Sequence, residues 1–193
     1  FLVNKLYKEY LSYEKEGFYL EGTGSMVLDR VNKIAYASIS RRTDFVLFHE
    51  WCQLMNYKPV SFISYQNISG SKEVIYHTNV MMCIASKFAI ICLESINNND
   101  DRKKVEQTLI NSGKEVILIT EAQKNKFAGN MLEVLGDKNY LVMSQTAFLS
   151  LSDFQKERIM NYAEIISVPI ENIEKIGGGS VRCMIAEIFL QQK

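Results

Sequence analysis

Three residues of this 193-residue chain have the types needed for nucleophilic chemistry: Cys183, His77 and Glu21. A thiolate attacks poorly electrophilic carbon better than a hydroxyl does. An imidazole titrates near neutrality and can protonate a departing amine, and a carboxylate can orient that imidazole. Each of the three stands in a polar or glycine-rich stretch ahead of an apolar run. These lead-ins are Leu20-Glu21-Gly22-Thr23-Gly24, Tyr76-His77-Thr78-Asn79 and Gly177-Gly178-Gly179-Ser180-Val181-Arg182-Cys183. A fourth, Phe127-Ala128-Gly129-Asn130, contributes none of the three. Taken singly, each residue has an ordinary reading: a structural histidine, a core cysteine, a turn glutamate. Their recurrence at equivalent points of a repeat is what argues for one shared cleft.

The repeat is visible in the apolar runs between the lead-ins. Ser25–Leu28 and Ile34–Ile39 read as strands joined by a tight turn at Asn32-Lys33. A helix from Asp44 to Asn56 follows, capped by Thr43 or Asp44, with Phe48, Trp51 and Met55 on one face and Leu47 and Leu54 close by. A strand at Val60–Ile63 completes the unit. The order returns as Val80–Ile84, Phe88–Leu93, a helix at Asp101–Asn111 closed by Ser112-Gly113, and Glu115–Ile119. It returns again as Met131–Leu135, Tyr140–Met143, a helix at Ser152–Ala163 and Ile165–Val168. A partial fourth unit begins at Gly177 and offers a strand at Met184–Leu190. The period of about 50 residues predicts an α/β fold of ββαβ units around a pseudo-symmetry axis. The expected units are 18–66, 74–120, 127–170 and 177–193 of one domain, 1–193.

Composition narrows the partners. The hydrophobic fraction of 47% supports one substantial core, and 22 basic residues balance 22 acidic ones. Such a balance gives no drive toward nucleic acid or an anionic membrane, and no apolar run has the length of a membrane span. Cys52, Cys83, Cys92 and Cys183 form neither a Cys-x-x-Cys pair nor a metal-ligand pattern, so no metal is expected, and Cys83 and Cys92 read as inert core thiols. Unclustered cysteines without a signal-peptide pattern point to a reducing, cytoplasmic setting.

Five segments together resemble the amidinotransferase-related penteins, the guanidino-group-modifying superfamily. They are Leu-Glu-Gly-Thr-Gly-Ser-Met-Val-Leu-Asp-Arg (20–30), Ser-Arg-Arg-Thr-Asp (40–44), Tyr-His-Thr-Asn-Val-Met-Met (76–82), Phe-Ala-Gly-Asn-Met-Leu-Glu (127–133) and Gly-Gly-Gly-Ser-Val-Arg-Cys-Met-Ile-Ala-Glu (177–187). Within that superfamily the chain looks most like the citrulline-utilisation hydrolases; arginine deiminase and dimethylarginine dimethylaminohydrolase are more distant. The resemblance runs from Glu14 to Leu190. It implies a cofactor-free five-unit α/β propeller of which three full units and partial ones are present. The family's N-terminal portion is missing, and Phe1–Tyr13 reads as the end of that unit. It implies Cys183 as nucleophile, His77 as acid and base, and Glu21 as the carboxylate orienting His77 or the substrate. Arg42 matches the arginine of the family's Ser-x-Arg-Thr motif, which binds the substrate's carboxylate.

Gly178 and Gly179 ahead of the nucleophile allow close backbone approach to a substrate. Two positions depart from the arginine-processing pattern: Asn79, where relatives carry an acid, and Gly24, where many carry Asp. Both remove a negative charge that would pair with a guanidinium, and Asn79 suits a neutral ureido group. The expected activity is therefore hydrolysis of a C–N bond in a ureido or guanidino group of a small amino acid, citrulline above arginine. Amidine transfer through the same Cys–His pair and a non-catalytic binding module are the alternatives. A homo-oligomer is left open.

Overall fold

The computed structural model describes residues 12–68 and 70–187. The reading of Phe1–Tyr13 falls almost wholly outside them. The first apolar run forms β1 (Met26–Asp29), which turns at Lys33 into the antiparallel β2 (Ile34–Ser38). The turn is held by Asp29, whose carboxylate accepts the backbone N–H of Asn32. The helix Phe45–Met55 starts at Asp44, not Thr43: the Asp44 carboxylate accepts the Leu47 N–H at 3.0 Å. Its inward face is Leu47, Phe48 and Cys52, with Trp51 half-buried, whereas Leu54 and Met55 are exposed. The apolar stripe is therefore one step off the expected one. The chain then returns as β3 (Lys58–Phe62), parallel to β2.

This ββαβ arrangement recurs twice, always with the second strand in the middle. β6 (Met82–Ile84) pairs antiparallel with β7 (Phe88–Ile91), and β8 (Glu115–Leu118) returns parallel to β7 after the helix Asn99–Asn111. β9 (Leu132–Leu135), β10 (Asn139–Ser144) and β11 (Glu164–Val168) repeat the pattern, with the helix Asp153–Met160 as crossover. One apolar core runs through these sheets, from Val27, Tyr36 and Phe62 through Met82, Ile90 and Leu109 to Leu141 and Ile159. The units are thus not separate beads.

Several elements depart from the expected unit. A two-stranded hairpin, β4 (Tyr65–Ile68) and β5 (Ser71–Val74), stands between the first and second units. Short helices at Gln145–Ser150 and Glu171–Gly177 also lie outside the expected unit. The strand expected at Met184–Leu190 does not form over its described part. Val181–Met184 winds into a 3₁₀ turn, with Cys183 N–H bonded to the Ser180 carbonyl and Ile185 N–H to that of Arg182. That winding uses the backbone donors a strand would need; residues 188–190 lie outside the described set. Among the described residues, no helix is long and apolar enough to cross a membrane.

Candidate active site

The lead-ins do converge. His77 and Cys183 line one pocket of about 480 Å³ together with Asn79, Asn130, Gly178 and Gly179. Tyr76, Phe127 and Lys124 add to its walls, and Gln66, Asn67 and Ile68 of the hairpin close one side. Asn67 is fastened there: its backbone N–H bonds the Glu121 carboxylate at 3.0 Å.

His77 is held from several directions. Its Nε2–H donates to Glu21 Oε2 at 2.6 Å. The neighbouring Thr78 hydroxyl is buried between the first unit's strands; it donates to the Ser25 carbonyl at 2.5 Å and accepts the Ser38 N–H at 2.7 Å. The ring also lies flat against Gly24. A Cβ added at Gly24 would sit 2.9 Å from Cε1 and Nδ1 of His77. Gly24 is thus required by the space His77 occupies, beyond the charge it lacks.

Cys183 is the exposed member of the four cysteines; Cys52, Cys83 and Cys92 are buried. Burial pushes the Cys52 thiol up to about 11 and the Cys83 thiol up to about 12, and raises that of Cys92. These three are poor nucleophiles by environment as well as by access. Cys183 is presented by the glycine loop. Gly178 adopts φ 69°, ending the helix Glu171–Gly177, and the buried Ser180 hydroxyl donates to Glu174 at 2.6 Å. Gly179 packs against Cys183, where an added Cβ would lie 3.5 Å from Sγ.

Asn130, in the fourth lead-in, joins the two halves. Its Nδ2–H₂ donates to the Asn79 carbonyl at 3.1 Å and faces Cys183 Sγ at 3.4 Å. The turn that presents it is tight. Phe127 takes the left-handed φ of 63°, and an added Cβ at Gly129 would fall 2.5 Å from the Val80 carbonyl oxygen. Asn130 occupies the same lead-in position in its unit as Glu21, His77 and Cys183 do in theirs, but an amide in a sequence carries no obvious reactivity. Lys124 gave no signal at all, because a lysine in a polar stretch reads as surface.

Arg42, expected at the substrate's carboxylate, does not line the pocket. Its guanidinium lies 3.7 Å from Glu21 and 5.1 Å from the centre of the Tyr76 ring. It borders the Glu21–His77 side instead. Asn79 is buried, and its Oδ1 has no hydrogen-bond partner.

The profile of the eukaryotic N,N dimethylarginine dimethylhydrolase family matches residues 2–190. The chain belongs to this family. That membership agrees with the solved structures that share this chain's fold. An arginine dihydrolase of the cyanobacterial ornithine–ammonia cycle, ArgZ, superposes with a TM-score of 0.66 at 17% identity, over 86% of this chain and 23% of that one. The N-terminal domain of ArgZ covalently bound to a reaction intermediate gives 0.67 at 17% identity, over 86% and 55%. Agmatine deiminase from C. jejuni gives 0.56 at 13% identity, over 91% and 58%. This family member is accordingly a pentein of the guanidino-modifying superfamily. It spans about a quarter to just over half of those neighbours' lengths. Among curated proteins none matches it.

Proposed function

We propose that this chain hydrolyses a C–N bond of a ureido or guanidino group on a small amino acid, through a covalent intermediate on Cys183. The observation that carries the reading is the placement of Cys183 and His77 on one pocket, with Glu21 at 2.6 Å on the imidazole. The Cys183 thiolate adds to the central carbon of the group. His77 delivers a proton to the departing amine, then takes one from the water that resolves the S-linked adduct. Glu21 fixes the ring for both transfers, and Arg42 at 3.7 Å holds Glu21 in turn. Gly178 and Gly179 let the backbone come close to the reacting group.

Citrulline is the favoured substrate. Asn79 on the pocket wall and Gly24 behind His77 supply no negative charge for a guanidinium, and the Asn79 amide suits a neutral ureide. Hydrolysis would give ornithine, ammonia and carbon dioxide. Arginine is the second reading, because a neighbour is an arginine dihydrolase and another, AgrE, is known with bound L-arginine.

The test is intact mass after incubation with a panel of guanidino and ureido compounds, coupled to ammonia release. A covalent adduct lost in Cys183→Ser supports the mechanism. An adduct on Cys52, Cys83 or Cys92 instead sinks the assignment, and a clear preference for arginine overturns citrulline.

A further inference from the structure

Two residues that line this pocket each carry a buried polar atom without a hydrogen-bond partner among the described residues. One is the Asn79 Oδ1 acceptor; the other is the ammonium of Lys124. The Lys124 side chain is fully buried. Its nearest carboxylate oxygen, Glu121 Oε1, is 3.9 Å away and already accepts the Asn67 N–H at 3.0 Å. Buried cations are ordinarily both paired and hydrogen-bonded, and this ammonium has only its loose ion pair with Glu121 until a ligand supplies an acceptor. Burial also holds the Lys124 pKa below its usual value, with Glu121 opposing the shift.

The two orphans are opposite in kind. A ligand that satisfies both presents N–H donors to Asn79 and an anionic oxygen to Lys124. A ureido or guanidino amino acid carries both, whereas its decarboxylated counterpart lacks the anion. Resting on the function proposed above, we infer that Lys124 is the carboxylate anchor of the pocket and sets its preference for amino acids over the corresponding amines. Arg42, facing Glu21 outside the pocket lining, does not serve this purpose.

The experiment is calorimetric titration of the Cys183→Ser protein, which binds without turnover. The ligands are citrulline and arginine, each against its decarboxylated counterpart, N-carbamoylputrescine and agmatine. One charge-assisted hydrogen bond predicts about tenfold or more tighter binding of the amino acids. Adding Lys124→Gln should erase that ratio, while Lys124→Arg and Arg42→Gln should retain it. Equal binding of acid and amine, no binding of either, or loss of the ratio in Arg42→Gln overturns the inference. If Lys124→Gln fails to melt cooperatively, the Lys124→Arg and Arg42→Gln ratios still decide. Retained carboxylate preference without any Cys183 adduct in the unmodified protein would sink the hydrolase reading and leave this subsite standing.

Discussion

The Asn130 amide faces the Cys183 sulfur, with Nδ2 at 3.4 Å and Oδ1 at 3.6 Å. The same Nδ2 holds the Asn79 carbonyl two residues beyond His77, so one side chain registers Cys183 against the His77 loop. An N–H donor at a thiolate favours its charged form. Asn130→Ala should therefore slow alkylation of Cys183 by iodoacetamide at neutral pH, by about tenfold. Asn130→Asp should slow it further, because a carboxylate opposes the thiolate. An unchanged alkylation rate in both variants would limit Asn130 to holding the loop.

Gly24 sets the seat of the His77 ring. In Gly24→Ala the new methyl, 2.9 Å from the ring atoms, must push His77 away from Glu21. The backbone at Gly24 has no left-handed φ, so alanine itself fits the chain there. A fall in kcat of about 10- to 100-fold with a nearly unchanged melting temperature is expected. Parallel loss of both would mean a folding defect instead.

The cysteines should separate cleanly by environment. With Cys52 pushed up to about 11, Cys83 up to about 12 and Cys92 raised, almost no thiolate forms at these sites near pH 8. Peptide mapping after limited alkylation should find Cys183 modified first, by at least about tenfold in rate. Equal labelling of a buried cysteine would show that the core opens on the labelling timescale.

The seam between the second and third units has its own pH signature. Glu115 on β8 bonds Arg158 of the helix Asp153–Met160, which also donates to the Val116 carbonyl at 2.9 Å. A hydrogen bond from Tyr162, then Arg158, lowers the Glu115 pKa in the fold. A lowered carboxyl contributes stability above its unfolded value and loses it as pH falls through the folded one. Glu115→Gln should lower the melting temperature by about 2 °C at pH 7. The difference should vanish in acid, below the ordinary carboxylate range; a gap that persists there would assign the effect to packing.

Much of this arrangement is legible in the sequence because its strands are apolar and buried. Phe88–Ile91 is buried at every position, and the strand pairs flanking each helix stand out as runs. The β4–β5 hairpin is not legible for the opposite reason: Ser71–Val74 is exposed throughout, so neither face carries an apolar signal. The helix Phe45–Met55 shows a subtler failure, since Leu54 and Met55 are apolar yet face outward. In the site, Cys183, His77 and Glu21 announce themselves by chemical type. Asn130 and Lys124 stand out by placement alone, and placement comes from contacts between units far apart in the chain.

The Thr78 hydroxyl, wedged between Ser25 and Ser38, makes the site's integrity observable from a distance. The Ser38 amide hydrogen ends on that hydroxyl, so it can exchange with solvent only when the second unit's lead-in lifts away from the first. Its deuterium uptake is a clock for how often the His77 loop comes loose, readable without substrate and without touching any reacting group.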